Sequence, residues 1–404
     1  MQTLSFTLNY LNTLDNLLSN EYDSITTKED FIVLLYHIEN LMRKAEFKDK
    51  AWFANNQLRL VFGRKSINGK LTWKLDIMLA KLQKSGILTS TPYDKNNHKT
   101  RYYSYSPLFS YELQSNEIKI IKENVSEKYY KFLINNNKLI DDKAKPQFNL
   151  LKSDRFHIDS EKALKWIDQQ YYIERSINFD QKRCYIRMIL DLEDKKIIAV
   201  EGEKGGRIFT NFNLIKRELR EFCTIDGEKL SSIDLKCSQP FLLASFLYNL
   251  YPDKAKAFYD IVINDDVYLW FLKKWQDTGN KFYSCFDYSA GHKIQKTISN
   301  RDDAKTEFLK MLFKSTGTKP QFEIIFEKEF NELYKLYKPI QSDLAATLQR
   351  LESSIFISAC NEHVNEGCLS VHDSLYFKVE IRAKVLSSLD KAFSENKIIN
   401  YVFH

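Results

Sequence analysis

Asp234 opens the run Asp234-Leu235-Lys236-Cys237-Ser238-Gln239, and Asp373 lies in Val371-His372-Asp373-Ser374, inside the apolar run 369–379. Between them Arg301 and Lys305 stand four residues apart, and Leu309 and Phe313 continue the same step. On a helix that step marks one face. Aspartate carboxylates hold hard divalent cations, and Mg²⁺ shares its shell with substrate phosphates, so two carboxylates and a carbonyl such as that of Leu235 suffice. Two such ions roughly 3.5–4 Å apart would activate a hydroxyl nucleophile and steady a pyrophosphate leaving group. Two cations on one helix face can grip the β- and γ-phosphates, Arg as a fork and Lys as a mobile point charge. The chemistry that uses all these parts is nucleotidyl transfer. Taken singly, each Asp is an ordinary cap or turn residue. Likewise, with Asp302, Asp303 and Glu307 off its stripe, the basic segment is an ordinary solvated helix. The two aspartates together, flanking the basic stripe, favour the chemical reading.

These residues need particular elements to hold them. Ser232-Ile233-Asp234-Leu235 reads as the end of a buried strand entering a helix, because Phe241, Leu242, Ala244 and Leu247 follow at helical spacing. Residues 369–377 read as a hairpin with Asp373 at or near its turn, residues 300–314 as the basic helix, and residues 344–360 as a further helix. Upstream, Phe31, Leu34, Leu35, Ile38, Leu41 and Met42 predict a helix after a start signal at Thr26-Thr27-Lys28-Glu29. A second helix is expected over 71–84, with Leu71, Leu75, Met78, Leu79 and Leu82 on its core face and Gly86 as its stop. A strand at 87–89, a turn at 92–97 and a returning strand at 101–105 complete a winged-helix-like pattern. At its tip Lys95, His98, Lys99 and Arg101, interleaved with Tyr93, Tyr102 and Tyr103, suit a phosphate backbone. Polar residues 135–145 form the best linker, and helices are expected near 159–173 and 184–192.

Bulk properties narrow the class. A chain of 404 residues with 44% hydrophobic and 28% charged residues has room for two or three domains with real cores. Only 11 Gly and 7 Pro argue against disordered, collagenous and loop-rich all-β architectures. The net charge of +7 is compatible with a polyanionic partner. The six cysteines make no Cys-x-x-Cys pair, and the histidines complete no zinc pattern. Residues 1–20 carry no basic n-region or cleavage site, and no apolar run is long enough for a bilayer. A reduced, cytoplasmic setting without a membrane is therefore expected.

The ordered motifs resemble the family A polymerases, the superfamily of bacterial DNA polymerase I and the single-subunit phage RNA polymerases. Asp234, Ser238 and Gln239 match its first motif, Arg301, Lys305, Leu309 and Phe313 its second, and His372-Asp373-Ser374 its third. Gly206-Arg207 looks like the element that precedes the first motif. The resemblance covers roughly 202–377. It implies that Asp234 and Asp373 bind two Mg²⁺ ions, with Mn²⁺ as a substitute. It also implies that Arg301 and Lys305 hold the incoming nucleotide's phosphates, with Lys305 protonating pyrophosphate. Phe313 would pack near the nascent pair, His372 near the primer terminus, and Arg207 in the duplex minor groove. Gln349, on the helix at the family's template-side position, would contact the duplex. Two departures stand out. Phe313 is followed by Lys314, with Gly317 later, where the family usually has Gly at once. Gln239 replaces the Glu that excludes a ribose 2′-hydroxyl in most DNA-synthesising members, and Asp-x-x-Cys-Ser with His-Asp-Ser leans toward the phage RNA polymerase branch; Gln is still large enough to crowd that hydroxyl, which favours deoxynucleotides and leaves ribonucleotides open.

The implied architecture is α+β: a right-hand polymerase with an antiparallel-sheet palm, helical fingers over about 248–335 and a reduced thumb near 156–194. The expected domains are an N-terminal winged-helix-like domain at 1–140, a thumb-like helical region at 146–200 and a palm-and-fingers domain at 201–404. Some 200 residues before the catalytic part are short for a proofreading exonuclease. Size and residue bias are similar to the small primase-polymerases of staphylococcal chromosome cassettes. That similarity implies de novo priming, dNTP substrates, a single-stranded DNA template, a primer–template duplex, and a small accessory protein and a replicative helicase as partners in mobile-element replication. Two alternatives remain: a single-subunit RNA polymerase or RNA primase, and a non-catalytic DNA-binding replication initiator.

Overall fold

The computed structural model describes residues 2–44, 59, 62, 64–67, 70–90, 103–105, 120–125, 142–202, 205–279, 282–287, 292–313 and 319–403. The fold is α+β, with antiparallel pairing throughout its named strands. It divides into two compact units. The first comprises Met1–Ile140, Phe148–Ala199 and Thr210–Lys229; the second comprises Asp141–Gln147, Val200–Phe209 and Leu230–His404.

In the first unit, strands Gln2–Thr7 and Ile120–Val125 pair in antiparallel register. Helix Lys28–Lys44 covers the predicted segment, and its Phe31, Leu34, Leu35 and Ile38 are fully buried. The helix expected from Leu71 starts instead at Lys74. Leu71 belongs to strand Lys70–Trp73 and is 61% exposed, so its place on the core face is corrected. Its spacing from Leu75 fits a helix, but the hairpin made with Arg64–Ile67 claims the backbone first. Leu75, Met78, Leu79 and Leu82 are buried as expected. Gly86 has φ +69°, a conformation that stops a helix without a Cβ penalty. Strands Leu88–Ser90 and Tyr103–Tyr105 then pair. The proposed turn, its cations and the 135–141 part of the linker lie outside the described residues, while Pro146 stands in the first turn of helix Lys145–Lys152.

Helix Ser160–Tyr172 lies where one is expected, and helix Phe179–Glu193 contains the expected 184–192 but starts five residues earlier. Asn178 and Gln181 close the second with reciprocal 2.9 Å bonds, which satisfy two otherwise orphaned donors. A buried polar cluster ties this helix to the N-terminal one. Tyr36 donates to Asp191 at 2.8 Å and Arg187 to the same carboxylate at 3.1 Å. Both helices belong to the same unit as the N-terminal segment.

The second unit carries the candidate site. Its sheet has the order Cys368–Val371, Ser374–Lys378, then Glu228–Asp234, with the hairpin's second strand in the middle; of the last strand, residues 230–234 belong to this unit. Helices Ser238–Leu250, Pro252–Asn264, Val267–Asp277, Arg301–Phe313, Gln321–Glu329, Asn331–Tyr337 and Gln341–His363 supply most of the rest. The region expected to be wholly helical also holds a hairpin, Tyr283–Asp287 with His292–Lys296. Much of the chain's aromatic content is spent on one core, where Phe258, Phe271, Phe308, Phe322, Phe326, Phe356 and Phe377 are fully buried. Fixed aromatic packing of that kind gives the helices a rigid seat. Among the described residues, no helix is long and apolar enough to cross a membrane.

Candidate active site

Strand register brings the two aspartates together. Asp234 is the last residue of its strand and lies opposite Ser374, while His372 and Asp373 form the two-residue turn between Val371 and Ser374. Asp373 therefore adjoins the residue that faces Asp234. The Ser374 hydroxyl donates to Asp234 Oδ1 at 2.6 Å, and the Leu235 amide donates to the Asp373 carbonyl at 3.1 Å. The loop after Asp234 is also held from the C-terminal side. Leu235 bridges Phe403, and the Lys236 amide donates to the Val402 carbonyl at 2.9 Å.

The backbone bends sharply beside each carboxylate. Cys237 has φ +51° and His372 φ +54°, a region that costs a non-glycine residue roughly 1–2 kcal/mol. Such outliers concentrate where function requires them. The first turns the chain into helix Ser238–Leu250, and the second lets the hairpin close in two residues. The His372 ring packs edge-on against Phe209, centroid to centroid 5.5 Å.

Helix Arg301–Phe313 shows two faces. Ala304, Phe308, Met311 and Leu312 are buried in the core. The other face carries exposed Arg301 and Lys305, half-buried Leu309 and, at its end, Phe313 at 39% exposure. The stripe singled out by spacing is thus the open one, and the packing face is a different set of residues. Arg301 Nε donates to Asp266 at 2.7 Å, its guanidinium lies 5.1 Å from the Tyr268 ring centroid, and a terminal nitrogen reaches Cys237 Sγ at 3.9 Å. Burial pushes the Cys237 thiol up, and Arg301, Lys236 and Lys305 oppose that shift. The positive charges of the helix therefore act on the loop that leaves Asp234. Among the described residues, Lys305 has no ion pair. Lys314 and Gly317 lie outside the described residues.

Glu352 is the site residue that spacing alone missed. It is 1% exposed on helix Gln341–His363. One oxygen accepts both Arg207 Nε, at 2.9 Å, and a terminal Arg207 nitrogen. The other accepts the Ser238 hydroxyl at 2.8 Å and the Gln239 amide nitrogen. Three residues named by the sequence motifs thus meet on a carboxylate that belongs to none of them. The available signal was position: Glu352 lies one turn beyond Gln349, at helical spacing from the apolar Leu348, Ile355, Phe356 and Ala359. Gln349 itself packs on the Gly205-Gly206 turn. A Cβ on Gly205 would come within 2.6 Å of Gln349 Oε1 and 3.0 Å of its Cβ, and Ser353 donates to the Gly205 carbonyl at 2.9 Å. Gly206 has φ +63°. The two glycines let the chain pass close to the helix and deliver Arg207.

Burial first, then the charges of Glu352 and Asp234, push the Asp373 carboxyl up to about 7. A crowded buried carboxyl of this sort favours either a proton or a cation. Asp234 and Asp373 offer only hard oxygen donors, which fits Mg²⁺ or Mn²⁺. Among the described residues, no three His, Cys, Asp or Glu side chains enclose an ion on their own. The remaining positions would then fall to a carbonyl, water and substrate oxygens, the shared shell usual for Mg²⁺. Comparison with protein-family models and with curated proteins returned no match.

Proposed function

We propose that this chain is a template-directed nucleotidyltransferase, a DNA polymerase of the right-hand type with de novo primase activity. The sheet carrying Asp234 and Asp373 is its palm, and the helices around Arg301–Phe313 are its fingers. The observation that carries the reading is the strand register placing Asp234 opposite Ser374, beside Asp373. It gathers two carboxylates at one sheet end, next to the loop on which Arg301 and Lys305 act.

The residues divide the work by charge and exposure. Asp234 and Asp373, with the Leu235 carbonyl, would hold the divalent ions. Those ions supply charge neutralisation at the phosphates and a lowered pKa for the attacking hydroxyl. Arg301 is pre-set by Asp266 and Tyr268, so little side-chain entropy is lost when its remaining nitrogens meet phosphate. Lys305, exposed on the same face, would deliver a proton to departing pyrophosphate. Leu309 and Phe313 offer an apolar surface to the base of the incoming nucleotide. Gln239 faces the sugar, and Arg207, His372 and Gln349 meet the primer–template. Partners of this reading are a single-stranded DNA template, dNTPs, an accessory protein and a replicative helicase.

The test is synthesis on a single-stranded template with labelled dNTPs or NTPs and Mg²⁺, with and without an annealed primer. Asp373→Ala serves as the control. Products that need no primer and vanish in the variant support a primase-polymerase, and the labelled sugar separates it from an RNA primase. Extension only from a primer supports the polymerase and removes autonomous priming. No product from either template, despite DNA binding, would replace the reading with a non-catalytic initiator.

A further inference from the structure

Glu352 joins groups that the proposed reaction uses separately. Arg207 arrives on the Gly205-Gly206 turn and Gln239 on the first turn of helix Ser238–Leu250; both end on one carboxylate that is almost wholly buried. A buried carboxylate demands compensation for each of its lone pairs. Here two bonds reach each oxygen, so the set is complete. The consequence for Gln239 is directional. Its amide nitrogen must face the carboxylate, because turning the amide over would set oxygen against oxygen. The Gln239 amide oxygen is left buried, with no hydrogen-bond partner among the described residues. An orphaned buried acceptor is unfavourable and so has a reason to meet a donor.

Resting on the polymerase reading above, we propose that Glu352 is the positioning residue of this site. It fixes the Arg207 guanidinium for the duplex, and it orients the Gln239 amide so that its oxygen accepts a hydroxyl of the incoming nucleotide's sugar. Glu352 itself touches neither substrate. It makes duplex grip and sugar preference depend on one another, although Arg207 and Gln239 come from different segments. An acceptor at Gln239 favours the sugar with the additional hydroxyl. This tempers the crowding that its size implies, and ribonucleotides become substrates alongside deoxynucleotides.

The experiment uses the full chain and the variants Glu352→Gln, Arg207→Ala, Gln239→Leu and the two doubles with Glu352→Gln. Folding is checked by circular dichroism and thermal midpoint. Two readouts follow: affinity for a primer–template duplex by fluorescence anisotropy, and the ratio of kcat/KM for NTP over dNTP in single-nucleotide extension, with a dideoxynucleotide arm. Glu352→Gln keeps the shape, but its own amide can donate to the Gln239 oxygen and it no longer carries charge for Arg207. The expected result is weaker duplex binding together with an NTP-to-dNTP ratio lowered about three- to tenfold, the size of one hydrogen bond. The doubles should be no worse than Arg207→Ala for the duplex and Gln239→Leu for the ratio. A change confined to dNTP against dideoxynucleotide would assign the acceptor to the 3′-hydroxyl and still support positioning.

A folded Glu352→Gln with both readouts unchanged, or with effects that simply add to those of the partners, overturns the proposal. If the wild-type chain extends no primer at all, the polymerase reading fails separately. The Arg207/Glu352 cycle on duplex binding then decides the positioning role, and absence of any duplex binding removes it.

Discussion

Replacing Asp373 by Asn removes a charge that the fold holds at a cost. Burial and the neighbouring Glu352 and Asp234 raise its carboxyl from 3.8 to about 7. The sign follows from proton linkage. A carboxyl that binds its proton more tightly in the folded state stabilises the fold below its unfolded pKa, and that stability is lost as pH rises through the folded pKa. With 1.36 kcal/mol per pH unit, the wild-type chain should lose about 2 kcal/mol from this group between roughly pH 5.5 and 8.5. The Asp373→Asn side chain has no such proton, so the stability difference between the two proteins should drift by that amount in favour of the variant. Subtracting the variant's profile cancels the many other groups that titrate over the same range. Urea denaturation in EDTA at several pH values measures it directly. Mg²⁺ at the alkaline end should restore more stability to wild type than to Asp373→Asn, because only wild type regains through the cation what it lost with the Asp373 proton. The variant should be inactive in template extension. Parallel pH profiles for the two proteins would refute the electrostatic account of the site, whatever the activity assay showed.

Other outcomes test other parts. Lys305→Ala should leave the thermal midpoint nearly unchanged, since the side chain is exposed, yet lower kcat/KM for nucleotide about ten- to a hundredfold through loss of a charged hydrogen bond. Arg207→Ala strands the buried Glu352 charge and should cost about 3–5 kcal/mol of stability, read from denaturant midpoints. Gly205→Ala forces a Cβ to within 2.6 Å of Gln349 Oε1. It should weaken duplex binding in anisotropy, and Gln349→Ala in the same chain should recover part of the loss. Phe313→Ala, at 39% exposure, should cost about 1–2 kcal/mol of stability from its buried part while reducing correct-nucleotide insertion in single-turnover extension.

Much of the local structure was legible because local physics decides it. Apolar spacing located helix Lys28–Lys44, and helices were legible near Ser160–Tyr172 and within Phe179–Glu193. The 369–377 hairpin was readable, with Asp373 at or near its turn, because apolar segments on either side of polar His372-Asp373-Ser374 leave few arrangements besides two strands and a tight turn. Leu71 failed for the opposite reason. Its side chain satisfies a helical period, but pairing with Arg64–Ile67 lies outside any short window, and Leu71 faces solvent.

At the site the division is sharper. Residue types and order along the chain marked Asp234, Arg301, Lys305 and Asp373, since carboxylates and cations are chosen for chemistry and their spacing reports a shared helix face. Only the tertiary structure set Asp234 opposite Ser374 and showed that the stripe Arg301, Lys305, Leu309, Phe313 is the open face. Glu352 was invisible as a functional residue because its partners, Arg207, Ser238 and Gln239, are more than a hundred residues away along the chain. A buried carboxylate gains its meaning from the donors that surround it, and those are assembled by packing rather than by sequence neighbourhood.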